Sequence, residues 1–232
     1  MLALFGGLGY CLLVYSGFVF APIAHAGVFV NGGIAFWTIV IMAFMTQFHI
    51  PRQTVFALLL SSCGLLLIGF ESLFATARGG EWIGDLLFLG AALTWAIFGL
   101  LLRRWQIRPQ LGILGVASFS ALGYLPVNLL WLPGNLGQAS WAAITLQGVY
   151  QGIVVAFLAA GLYSYAVMKI GAGEASMMLA LVPAFSAIGG LLILDEQLGS
   201  RSIVGIVVVS VGAMLGALPP GALDRIRRFR PR

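Results

Sequence analysis

Apolar residues in this chain run in long unbroken stretches, with polar and helix-breaking residues gathered between them. The stretches fall at about 2–20, 24–46, 53–74, 82–103, 111–132, 147–169, 174–194 and 201–218. Pro22, Pro51-Arg52, Arg78-Gly79-Gly80, Arg103-Arg104, Pro133-Gly134, Lys169 and the segment from Asp195 to Arg201 punctuate them. Each stretch is close to the ~20 apolar residues that a helix needs to cross the hydrocarbon core. The runs are continuous rather than alternating, so they predict helices and not the strands of a membrane barrel. The pattern therefore predicts an all-α membrane protein of about eight transmembrane helices. A Pro-Pro-Gly break and a basic tail, residues 219–232, follow the last one.

Composition sharpens this. The chain is 61% hydrophobic and 8% charged, where a soluble domain is roughly 45–50% apolar and about 25% charged. A water-soluble globule and a disordered chain are both excluded. The sequence pI near 9.7 does not point to nucleic acid, because the basic residues sit in the tail, in loops and at helix ends. With eight spans both termini share a side. Arg52, Arg103, Arg104, Arg108, Lys169, Arg225, Arg227, Arg228, Arg230 and Arg232 fall on that side, and only Arg78 and Arg201 on the other. The positive-inside rule then predicts a multi-pass protein of the plasma (inner) membrane with both termini cytoplasmic. The bilayer itself is a partner, with anionic lipids at the basic tail. Cys11 and Cys63 lie inside apolar runs and read as small lipid- or helix-facing residues, so neither a metal site nor a cofactor is expected. Met1 leads straight into apolar residues without the charged region or cleavage site of a signal peptide, so the start reads as a helix entered part-way.

Sliding the chain against itself by 148 residues pairs Tyr15-Ser16 with Tyr163-Ser164, Val19 with Val167, Ala24 with Ala172, Ser62 with Ser210, Gly64 with Gly212 and Leu67 with Leu215. Spans one to three then superimpose on spans six to eight. An odd number of helices, five, separates the copies, so they lie in the membrane with opposite orientation. Inverted repeats are a common architecture of secondary transporters, with the substrate site near the midplane between the halves.

The segment Gly84-Asp85-Leu-Leu-Phe-Leu-Gly-Ala-Ala-Leu-Thr94-Trp95-Ala-Ile-Phe with Arg103-Arg104 resembles the opening of a five-helix EamA-type repeat. So does Ala175-Ser-Met-Met-Leu-Ala-Leu-Val-Pro183, running on to Leu-Leu-Ile-Leu-Asp195-Glu196-Gln-Leu, Gly205 and Gly212. These motifs are similar to the drug/metabolite transporter superfamily, whose members carry two inverted repeats and ten helices. On that resemblance residues 1–80 form an incomplete first repeat of three helices, residues 81–218 a complete second repeat, and 219–232 a cytoplasmic tail. The first repeat departs from the pattern by lacking its first two helices, and by Ala35 and Phe48 standing at the counterparts of Pro183 and Glu196. The resemblance implies a carrier of small organic metabolites or drugs, an exporter, working by alternating access between the repeats. It also implies a role for Glu196 in shaping the outer gate.

Within that frame, Asn31, Trp37, Trp95, Tyr163 and Tyr165 are the substrate-binding candidates, because an aromatic-lined cavity suits apolar or aromatic metabolites. Packing is the competing explanation for each ring, and a helix-to-helix hydrogen bond for Asn31. Pro183, near the middle of span seven, and Gly32-Gly33 at the corresponding depth of span two are the hinge candidates. Asp85 and Glu174 fall in first turns, where a carboxylate complements the helix dipole. Gly212-x-x-x-Gly216 fits close helix packing, either in a homodimer or within one chain. Two rival readings stand beside the carrier. One is a non-transporting truncated or accessory membrane subunit. The other is an intramembrane enzyme, which the sequence disfavours because His25 and His49 lie on opposite sides and no H-E-x-x-H or G-x-S-x-G occurs.

Overall fold

The computed structural model describes residues 1–45, 47, 50–75, 80–131, 139–194 and 199–218. Every regular element among them is a helix. These are α1 (Gly9–Phe20, entered through a π-helical turn Leu4–Leu8), α2 (Ile23–Met45), α3 (Arg52–Ala75), α4 (Glu81–Arg104), α5 (Pro109–Trp131), α6 (Trp141–Val149), α7 (Ala160–Ile170), α8 (Ala172–Leu179), α9 (Val182–Leu194) and α10 (Ser200–Ala217). A π-helical segment, Tyr150–Ala159, joins α6 to α7, so that Trp141–Ile170 is one rod of 30 residues. Taking that rod as one span, and α8 with α9 as another, gives the eight crossings that the hydropathy pattern predicts. His25–Met45, Glu81–Arg104, Trp141–Ile170 and Ser200–Ala217 are each long and apolar enough to cross a membrane unaided. The molecule is an all-α multi-pass membrane protein.

The helix ends follow from local chemistry. The sixth span begins well before position 147 because Ser140 caps it, its Oγ accepting from the Ala143 amide at 3.2 Å. Gly171, with φ of 111°, ends α7 in a conformation that L side chains rarely adopt. Two carbonyls of that last turn, Val167 and Met168, accept from the Arg103 guanidinium on α4, which ties the end of α7 to α4; Val167 also accepts from the Gly171 amide. Across the bundle, the Gln53 side-chain amide donates to the carbonyl of Leu215 at the end of α10 at 2.9 Å.

The most extensive helix pair is α3 with α10, and small residues let it close. A β-carbon at Gly64 would stand 2.4 Å from the Val209 nitrogen and 2.8 Å from the Gly205 oxygen. One at Gly212 would stand 2.6 Å from the Ser61 nitrogen and 3.0 Å from the Ala57 oxygen. Under the 148-residue offset Gly64 becomes Gly212, Val209 becomes Ser61 and Gly205 becomes Ala57, so the two contacts are copies of each other. Such reciprocity is what a pseudo-two-fold axis between α3 and α10 requires. Around it, α4 packs on α1 and α2, and α8 packs on α2, α7 and α10. Phe88, Phe98, Leu65, Leu102, Met177, Val167 and Val209 are fully buried at these junctions.

Candidate functional site

Trp95 sits mid-way along α4 at the meeting of three elements. Its ring lies 4.8 Å from Tyr10 of the first span, 5.6 Å from Tyr163 of α7 and 5.3 Å from Phe98, one turn on along α4. Trp37 reaches the same helix from α2, its indole N–H donating to the Leu89 carbonyl at 3.1 Å. Trp37 and Trp95 border one apolar cluster, built around Ile34, Phe88 and Ala92. The fold thus brings three of the predicted aromatics, Trp37, Trp95 and Tyr163, to the inner faces of α2, α4 and α7. It adds Tyr10, which sequence reasoning missed although it falls mid-span like the others.

The group is not wholly apolar. The Ser164 and Thr38 hydroxyls are buried without a hydrogen-bond partner, whereas the Trp95 indole interacts with the Tyr163 hydroxyl. Buried polar groups are normally paired, so these two hydroxyls are unspent donors and acceptors on the helices that carry Trp37 and Tyr163. Chemically this suits a flat, weakly polar organic molecule. The Tyr10, Trp95 and Tyr163 rings touch one another, and two clefts lie elsewhere. One, lined by Met42, Thr54, Glu174 and Gly216, opens at the end of the bundle that carries Arg52 and Arg103. The other is a groove between the start of α5 and the Phe157–Tyr165 stretch.

The remaining candidates separate from this group. Tyr165 is 54% exposed and lines the second groove, because residues two apart on a helix point to nearly opposite sides. Asn31 donates to the Gly27 carbonyl of its own helix at 3.1 Å. Gly32 and Gly33 lie in an unbroken α2 as points of close approach: added β-carbons would meet Leu65 at 2.7 Å and Ala92 at 2.8 Å. Span seven does break. Ala180 and Leu181 separate α8 from α9 with tight turns, their amides bonding to Met177 and Met178, and buried Pro183 stands just beyond. Glu196 and the basic tail lie outside the described residues.

A second polar element escaped the sequence reading entirely. His25, in the first turn of α2, is buried, and its Nδ1 lies 2.8 Å from Oδ1 of Asp85 in the first turns of α4. Phe29 lies alongside, its ring centroid 6.3 Å from the imidazole. The signal was topological: both residues occupy the span ends opposite the arginine-rich one.

Comparison with known proteins adds to this geometry. The model of the EamA-like transporter family matches residues 82–217. No curated protein matches the chain. A solved structure, titled only as the crystal structure of a protein, superposes with a TM-score of 0.75 over 94% of this chain and 76% of its own, at 17% identity. That likeness concerns the fold.

Proposed function

This chain belongs to the EamA-like transporter family, and from that premise we propose that it exports small organic metabolites or drugs across the plasma membrane by alternating access, with both termini cytoplasmic. The observation that carries the mechanism is the contrast between two helices related by the repeat. Span seven is broken at Ala180–Leu181 ahead of Pro183, while its counterpart α2 runs unbroken from Ile23 to Met45. A discontinuous helix beside an intact one gives one repeat a joint about which to rock against the other.

Substrate binds where Trp37, Trp95 and Tyr163 converge, with Tyr10 completing the wall. The unpaired Ser164 and Thr38 hydroxyls supply orientation, and the aromatic faces supply most of the contact area. Because the rings close on one another, binding requires them to part, and that movement is the conformational step. Asn31 reaches substrate only by giving up its bond to Gly27, and Tyr165 takes no part in this wall. Glu196 shapes the outer end, and the basic tail holds anionic lipid. The test is an export assay with a panel of amino acids and aromatic drugs, in cells lacking their own exporters. Expression of the chain should lower intracellular accumulation of at least one aromatic compound, and Trp95→Ala should abolish the effect. Equal accumulation with and without the chain across the panel would overturn the proposal.

A further inference from the structure

We propose that the groove between the start of α5 and the Phe157–Tyr165 stretch binds one anionic phospholipid, with an acyl chain along the groove and the phosphate at Arg108 and Lys169. This goes beyond the carrier reading and rests only on the membrane-spanning fold. The groove holds about 250 Å³, and its walls are apolar, with Ile113 of α5 across from Phe157, Leu158 and Leu162. Gln110 and Tyr165 are its polar side chains. Phe157, Leu158, Leu162 and Tyr165 are each at least 50% exposed, so none of the described residues fills it.

Shape selects an acyl chain. From Phe157 to Tyr165 the rod advances on the order of 10 Å, which covers most of one leaflet's half of the ~30 Å hydrocarbon core. The groove volume spread over that length has the section of a single hydrocarbon chain. A helix, about 10–12 Å across, is too wide to enter it. A second copy packed symmetrically on this face would also set its cations against their own counterparts.

Charge selects the headgroup. The Lys169 ammonium stands 5.6 Å from the centroid of the Tyr165 ring, so it is held beside the groove wall. Arg108 immediately precedes Pro109, which lines the groove, and both cations are exposed. The amino end of α5, opened by Pro109, brings the positive end of its dipole to the same place. Neither Arg108 nor Lys169 has a carboxylate partner among the described residues. Glu174, the acid nearest to Lys169 in sequence, lines the other cleft, between α2, α3, α8 and α10. Arg103 is already engaged by the Val167 and Met168 carbonyls and braces α4 against α7. Basic pockets between spanning helices recruit anionic headgroups, and each cation near such a surface contributes about fivefold in affinity. A zwitterionic headgroup carries its own ammonium and gains less.

The test counts bound lipid on the full chain. Protein in a mild detergent is titrated with dioleoyl phosphatidylglycerol or dioleoyl phosphatidylcholine, and native mass spectrometry gives the dissociation constant of the first lipid bound. Phosphatidylglycerol should bind at least about tenfold more tightly, as two cations require. Arg108→Gln/Lys169→Gln should remove most of that preference and leave phosphatidylcholine binding unchanged. A β-carbon at Gly161, which also lines the groove, meets nothing within 4 Å. Gly161→Phe should therefore fold normally, fill the groove and weaken both lipids by at least about fivefold, roughly the loss of one buried apolar contact set. Replacing Arg225, Arg227, Arg228, Arg230 and Arg232 by glutamine should leave the first phosphatidylglycerol in place. Equal affinity for the two lipids would overturn the proposal. So would unchanged binding in Gly161→Phe, or a preference lost in the tail variant and kept in Arg108→Gln/Lys169→Gln. Glycerol phosphate in large excess should not compete; displacement by it would reduce the site to one for a free phosphate and overturn the lipid assignment.

Discussion

The flank of the bundle where α1 meets α4 and the rod formed by α6 and the π segment are made of similar residues, yet their fates differ. Gly17 and Gly84 are contact points. A β-carbon at Gly17 would meet Phe88 at 2.5 Å, and one at Gly84 would meet Ala21 at 2.4 Å and the Gly17 oxygen at 2.8 Å. Gly148, Gly152 and Gly161 have nothing within 4 Å, and no residue of Trp141–Ala159 is buried. Neighbouring side chains make the contrast. Under the 148-residue offset α1 maps onto the end of this rod, Gly17 onto Tyr165 and Ala21 onto Lys169, so the small contact residues of α1 have no small counterparts there. Small and aromatic residues thus have no fixed meaning in an apolar helix. The neighbour decides whether a glycine is a contact or a gap, and whether a tyrosine is a wall or a lipid-facing ring.

The comparison breaks most easily at its aromatics. Trp95→Ala removes a ring packed against Tyr10, Phe98 and Tyr163. It should cost about 3–5 kcal/mol, read by equilibrium unfolding in detergent. Tyr165→Ala, at a groove, should cost less than about 1 kcal/mol. Similar losses would mean that the rod is covered in the membrane as fully as the α1–α4 flank.

Glycines give the next largest difference. Gly84→Val drives a branched side chain into Ala21 and the α1 backbone, and should destabilise by about 3 kcal/mol. Gly152→Val enters open space and should stay within about 0.5 kcal/mol. The same unfolding measurement decides between them, with folded yield as a second readout.

These two comparisons show what a linear reading can reach. Span ends set by apolar runs and breakers were legible, because hydrocarbon thickness and backbone hydrogen bonding leave helices little freedom. The break in span seven was foreshadowed by Pro183, and the reciprocal α3–α10 contact by the pairing of Gly64 with Gly212. The Trp37–Trp95–Tyr163 convergence was legible only as a list of rings. Which of Tyr163 and Tyr165 faces inward depends on helix phase, and their spacing of two already forbade a shared face. The His25–Asp85 contact joins residues 60 positions apart and forms only when α2 and α4 pack. The π segment Tyr150–Ala159 has no marker in its residues that we can identify.

A smaller effect is expected at the break. Pro183→Ala restores a backbone donor and removes the ring's clash with the preceding turn, so α8 and α9 should join more stiffly across Ala180–Leu181. Turnover per inserted molecule should fall several-fold while equilibrium binding of the same substrate holds, since the aromatic wall is untouched. Unchanged turnover would make the break static. Loss of binding alone would assign Pro183 to the shape of the site.

The smallest effect returns to the bare rod. Gln147 and Gln151 lie one turn apart on it, both exposed, and neither side-chain amide has a hydrogen-bond partner among the described residues. An amide in hydrocarbon is unfavourable unless paired, so Gln151→Leu should leave stability unchanged or raise it slightly. If another helix covers this face in the membrane, the same substitution removes an interhelical hydrogen bond, and such bonds average only about 0.6 kcal/mol. The sign is therefore more informative than the size. Unfolding in nanodiscs, where lateral partners are diluted out, should show a neutral or positive change. Repeating it in vesicles at rising protein-to-lipid ratio separates the cases: a loss that grows with protein density identifies a second copy on the Gln147–Gln151 face, and a value independent of density leaves that face to lipid.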